Sequence, residues 1–226
     1  MKKYKWIFAV VLLVLIACQA SANNTTLWKQ DGSVTSANGK KIQLEIQGIY
    51  DSLEYNGINF LVGFKIDKEG NNSLYIVKIP NDLSSAQYWA FESIHNDIFI
   101  HKETVHVITM NGEVYELKDG KWNLTNKQFP RESQIVYSDH KDNLIVCHPA
   151  SMEKTGDHNS GCFSTANNWK LGFIWFNIVP KVCNGQLYIV EENNSGKVFK
   201  QVDLKSGKVM KSELLKNVPD DICKLK

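Results

Sequence analysis

Residues 105–124, VHVITMNGEVYELKDGKWNL, decide how this chain folds. The run VHVITM ends at Asn111-Gly112, EVYELK ends at Asp119-Gly120, and KWNL follows. Asn-Gly and Asp-Gly reverse a chain tightly because their residues accept positive φ at little steric cost. The β-branched and aromatic residues between them favour extended backbone. Twenty residues therefore read as three antiparallel strands joined by two tight turns.

Weaker copies of this unit recur. One runs Ile58–Ile66, Leu74–Ile79 and Gln87–Phe91, with Glu69-Gly70-Asn71-Asn72 as a turn. The opening unit is preceded by a further strand at Asp97–Ile100. A third runs Asn143–His148, Cys162–Thr165 and Trp169–Trp175, with Gln134–Ser138 in front. The fourth runs Gln186–Glu191, Val198–Leu204 and Lys208–Ser212. First strands begin near Ile58, Val105, Asn143 and Gln186, at spacings of 47, 38 and 43 residues. A period of ~40–50 residues with about four short strands marks a β-propeller blade.

On these repeats the chain resembles a small β-propeller-type repeat protein, which implies an all-β fold of four or five blades. The Asp119-Gly120-Lys121-Trp122 ending is similar to hairpins of propeller lectins. It is two residues too short between Asp and Trp for the Asp-box of sialidase-like propellers. Leu27–Gln47, with turns at Asp31-Gly32 and Asn38-Gly39, is expected to supply outer strands of a fifth blade that the C-terminal tail completes. A β-sandwich, which also needs alternating strands and regular turns, is the alternative.

Residues 1–22 read as a signal segment ahead of a single domain over 23–226. Lys2, Lys3 and Lys5 precede the unbroken apolar run Trp6–Ala17. Twelve residues suit a signal core and fall short of the ~20 that a spanning helix needs. Ala20-Ser21-Ala22 offers cleavage before Asn23, giving a soluble periplasmic or extracellular protein. Leu15-Ile16-Ala17-Cys18 resembles the bacterial lipobox, which implies acylation of Cys18 and an outer-membrane lipoprotein.

Cleavage reverses the sign of the charge. Of 26 basic residues three lie in the signal segment, against none of the 24 acidic ones, so the remaining chain carries 23 against 24. Arg131 is the only arginine. Lacking basic excess and bidentate guanidinium groups, the chain reads as one that does not bind nucleic acid.

Both processing readings leave Cys147, Cys162, Cys183 and Cys223, an even number in an exported chain, and hence two disulfides. Four cysteines allow three pairings. Cys147–Cys162 is favoured because it closes a polar loop between two apolar strands, and Cys183–Cys223 would then tie down the tail. No two cysteines are spaced as a zinc ligand pair.

Candidate chemistry is sparse. The six histidines, His95, His101, His106, His140, His148 and His158, form no ligand spacing, and no metal or other cofactor is expected. His101 and His106, five apart, would point to opposite faces of one strand. His106 reads as a partly buried strand residue.

The most unusual segment is Pro149–Gly161, where 13 residues replace a tight turn. Long loops pinned on a β scaffold often carry binding surfaces. Asp157, His158 and Asn159 within it, with Trp169 nearby, are the candidate binding residues, and no catalytic residue is assigned. There is no Gly-x-Ser-x-Gly elbow, phosphate loop or His-Glu-x-x-His helix.

The expected protein is an exported, monomeric, non-catalytic binder of a protein partner, in an inhibitor or immunity role, or of a glycan. The alternative is an envelope hydrolase acting on saccharide or peptidoglycan, its carboxylates brought together from distant positions.

Overall fold

The computed structural model describes residues 27–29, 31–91, 95–149, 160–173, 176–193, 196–219 and 221–225. Residues 1–26, including the expected signal segment and Cys18, and residues 150–159 lie outside them. Within the described residues the chain is all-β: one three-stranded sheet and four four-stranded antiparallel sheets, each a meander laid out in chain order. These residues group into two compact units, within Met1–Glu92 and Ser93–Lys226.

The first unit holds β1 (Leu27–Trp28), β2 (Ser33–Thr35) and β3 (Lys41–Gln43) as one sheet. Its other sheet is β4 (Gln47–Tyr55), β5 (Ile58–Ile66), β6 (Asn72–Pro80) and β7 (Gln87–Phe91). Val34, Leu44, Ile46 and Ile49 pack with Leu61, Val77, Ile79 and Leu83 in the core of this unit.

Three sheets make the second unit. They are β8 (His95–His101), β9 (Thr104–Thr109), β10 (Glu113–Lys118) and β11 (Lys121–Gln128); β12 (Gln134–Ser138), β13 (Leu144–His148), β14 (Ser160–Ser164) and β15 (Lys170–Phe173); and β16 (Phe176–Cys183), β17 (Gln186–Asn193), β18 (Gly196–Asp203) and β19 (Val209–Leu215).

Within this second unit, successive sheets meet face to face. Phe99, Ile108 and Val114 of the second sheet pack on Leu144 and Val146 of the third. On the other side of the third sheet, Ile145, Cys147 and Cys162 pack with Leu187, Ile189 and Val202 of the fourth. Tyr188, Val190 and Phe199 then meet the tail residue Ile222. A strand with sheets on both faces has no solvent side, so its apolar residues run on without alternation. Residues 144–147 of β13, between the second and fourth sheets, are accordingly buried at every position; 59–63, 105–109 and 187–191, each likewise in the second strand of a four-stranded sheet, are buried throughout as well. The outer strands β11 and β19 instead alternate with solvent. Burial on both faces is what a two-layer sandwich does not provide, and the sandwich alternative falls on it.

Four two-residue turns share one geometry, positive φ at both central residues. They are Asn56-Gly57, Lys102-Glu103, Asp119-Gly120 and Asn184-Gly185, and the register closes directly across each, as in Tyr55↔Ile58 and Cys183↔Gln186. This mirror-image turn matches the right-handed twist of the strands it joins. Gly112 serves differently. At φ +83 it donates its N–H to the Thr109 carbonyl, and a Cβ there would meet the Phe129 carbonyl oxygen at 2.0 Å.

Two expectations need correction. The tail supplies no strand to the N-terminal sheet: among the described residues that sheet has three strands, and Ile222–Lys224 forms a single 3-10 turn lying against β16. The third unit's last strand is Lys170–Phe173, so Trp169 stands in the turn before it.

Candidate functional site

In a four-stranded meander the first and third connections lie at one end of the sheet and the second at the other. At the first-and-third end, the third and fourth sheets enclose a cleft of about 690 Å³. Its walls come from four turns: Asp139–Asn143 after β12, Ala166 and Asn167 after β14, Gly185 after β16, and Leu204 and Lys205 after β18, with Tyr137 on β12.

Polar residues hold three of these turns, within a turn and from one turn to the next. Asp139 Oδ1 accepts from the backbone N–H of Lys141 at 2.8 Å and of Asn143 at 3.0 Å. Ser164 Oγ donates to Asn143 Oδ1 at 2.7 Å, and Thr165 Oγ1 donates to the Asp142 carbonyl at 3.1 Å. Asp203 Oδ1 accepts from both the hydroxyl and the backbone N–H of Ser206, at 2.7 and 2.8 Å. Those two donors stabilise the charged form and hold the Asp203 carboxyl below its ordinary range.

One oxygen of Asp139 and one of Asp203 are thus committed to the scaffold. Lys141, Lys205 and Asn167 add donor-bearing side chains, none of them in an ion pair among the described residues. The cleft therefore presents acceptors and donors side by side on a rigid β frame.

The adjoining rim is tied to the second sheet. Backbone N–H groups of the Lys102-Glu103 turn donate to the Lys141 and His140 carbonyls, each at 3.0 Å. Lys102 pairs with Asp142 at 3.5 Å across solvent.

The sequence-derived candidates distribute differently. Asp157, His158 and Asn159 lie outside the described residues. The loop that carries them joins the second and third strands of its sheet, so its ends, Pro149 and Ser160, stand at the opposite end from the cleft. Trp169 is 8% exposed, donates from its indole N–H to the Leu204 carbonyl at 2.9 Å, and lies flat against Gly207. It supports the cleft wall from beneath and offers no open ring.

The cysteines form Cys147–Cys162 and Cys183–Cys223. The first joins directly opposed residues of β13 and β14, with Cα atoms 4.1 Å apart. No group of three or more metal-ligating His, Cys, Asp or Glu residues occurs among the described residues.

His101 and His106 do come together, against the expectation from their spacing. That expectation placed both on one strand. The Lys102-Glu103 turn instead puts them on adjacent strands, with Phe99 opposite His106 and His101 opposite Thr104. The two imidazoles are thus diagonal neighbours on one face, their centroids 5.6 Å apart. Lys-Glu carries none of the residues that announce a tight turn, so nothing in the sequence marked the pairing. The cleft residues had a faint signal. Asp139 and Asn143 repeat the spacing of Asp67 and Asn71, where the same Asp-to-backbone bond forms.

No family model matches the chain, and no curated protein does either. Solved structures do. The crystal structure of BamB from Moraxella catarrhalis superposes with a TM-score of 0.52 at 13% identity, covering 84% of this chain and 61% of that one. The Pan2 WD40 domain of Neurospora crassa superposes with a TM-score of 0.51 at 12% identity, covering 88% of this chain and 66% of that one. This chain thus spans less than two thirds of either structure. At such identities what is shared is the fold alone: four-stranded antiparallel blades of the β-propeller type.

Proposed function

We propose that the protein is an exported, non-catalytic binding protein of the cell envelope or extracellular space, which holds a protein segment or a glycan in the cleft between its third and fourth sheets. The observation that carries this reading is the state of the cleft carboxylates. Asp139 and Asp203 are each tied by two hydrogen bonds to their own turns. A general acid needs its carboxyl pushed upward, whereas Asp203 is held down. Fixed acceptors beside lysine and amide donors suit recognition better than proton transfer.

Export is supported by the two disulfides, which persist in oxidising compartments. Residues 1–22 supply the address in this reading. Cys18 is either removed with them or retained as a lipid anchor.

Asn167→Ala and Lys205→Ala remove cleft-lining groups without touching the bonds that hold the turns. Each is expected to weaken retention on the immobilised glycan or envelope peptide that wild type binds by about tenfold, with an unchanged melting temperature. Wild-type retention by both variants would remove the cleft from the function.

A further inference from the structure

A second polar cluster lies on the face of the second sheet that packs against the third, apart from the cleft. His101 and His106 are 4% and 5% exposed there, and Lys127 of β11 reaches over the same face until its Nζ meets His101 Nε2. His106 Nδ1 donates to the Thr104 carbonyl at 3.0 Å and its ring stacks on Phe99. His101 Nδ1 is buried without a partner.

Lys127 is an unusual lysine in this setting. No carboxylate lies within ion-pair range of its Nζ among the described residues. Its one polar contact among the described residues is an imidazole. The charged and titratable groups around it are His101, His106, Lys102 of the neighbouring turn, Asp142 of the third sheet's first turn, and Glu116 of β10.

The orphaned His101 nitrogen bears on which form of the amine this contact prefers. If Lys127 is an ammonium, it donates to Nε2, and the imidazole proton must sit on Nδ1, buried with nothing to accept it. If Lys127 is a free amine, Nε2–H donates to the Nζ electron pair, and Nδ1 keeps only a lone pair. A buried orphaned N–H is rarer and worse tolerated than an unused acceptor. Hydrogen-bond bookkeeping therefore favours the free amine, in the same sense as half-burial and the absence of a counter-ion.

We propose that Lys127 is a modification site, its amine attacking activated carbonyl groups ahead of the exposed lysines around it. In the step, the Nζ electron pair forms a bond to the carbonyl carbon. The leaving group departs with the electrons of its own bond to that carbon, and the surplus proton on nitrogen passes to water. The product is an uncharged amide that gives up no carboxylate partner, since Lys127 has none among the described residues. Burial, followed by the repulsion of Lys102, holds its ammonium below the ordinary lysine range.

The test is competitive acetylation of the intact protein by substoichiometric N-hydroxysuccinimidyl acetate, read by peptide mass mapping across pH 6.5–10. At pH 7, Lys127 should react at least about threefold faster than Lys118 and Lys121 of the same hairpin, and its rate should reach half-maximum at a lower pH than theirs. A rate at or below that of Lys121, or coincident pH midpoints, overturns the proposal. His101→Phe, which removes both ring nitrogens, should move the Lys127 midpoint. The wild-type profile decides the matter even if that variant fails to fold.

Discussion

His101 is a residue whose surroundings set a pH limit on the fold. Burial, with Lys127 and His106 nearby, holds its pKa at about 4 against an ordinary 6.5, and burial also lowers His106 and His148. As pH falls below 6.5 the unfolded chain takes up protons that the folded chain refuses, so stability is full above that value and declines toward pH 4. For His101 alone the loss is at most about 3 kcal/mol, reached where its folded form titrates. Urea unfolding at pH 7, 5.5 and 4.5 should show the decline, and His101→Phe should flatten it. An unchanged slope in the variant would place the acid sensitivity elsewhere. The sequence displayed six histidines but not this environment, because the turn that creates it is written Lys102-Glu103.

That turn also shows where the reading of elements from sequence stops. Asn56-Gly57, Asp119-Gly120 and Asn184-Gly185 announce themselves, since their residue types tolerate positive φ. Lys102 and Glu103 adopt φ of 50° and 59° with no such preference, held by their backbone bonds to His140 and Lys141. Left-handed backbone costs ~1–2 kcal/mol per ordinary residue. Replacing both, as Lys102→Asn with Glu103→Gly, should therefore stabilise the hairpin by about 1 kcal/mol and raise the melting temperature by a few degrees. The exposed Lys102–Asp142 pair lost in the exchange offsets little of this. A lower melting temperature would mean that the side chains, and not the backbone bonds, hold the two turns together. The strands themselves were legible because blade packing writes them as continuous apolar runs. The cleft was not, because it is assembled from four turns spread over residues 137–205, each polar in an ordinary way.

For the whole molecule, the two disulfides act on different parts of the structure, and their removal should look different. Cys147–Cys162 spans 15 residues across two neighbouring strands whose register already aligns them, inside the core shared by the third and fourth sheets. Cys183–Cys223 spans 40 residues and fastens the tail beside Ile222, which is buried against Phe199 and Tyr188. Chain entropy alone gives roughly 3 kcal/mol for the first and roughly 4 for the second. Those similar totals conceal unlike consequences. Without the first bridge, β13 and β14 remain paired by their ladder and by neighbours on both faces, so paired Cys147→Ala and Cys162→Ala should lower the melting temperature with hydrogen-exchange protection reduced evenly across the third sheet. Without the second, little besides Ile222 and the residues around it keeps the tail in place. Paired Cys183→Ala and Cys223→Ala should therefore expose the C-terminal residues to exchange and proteolysis well below the main unfolding transition, uncovering Phe199 and Tyr188. Local opening of this kind draws on the part of a structure with the fewest buried contacts. Should the tail of that variant stay protected until global unfolding, the apolar contacts of Ile222 would be sufficient to hold it, and the bridge would matter only to the unfolded chain.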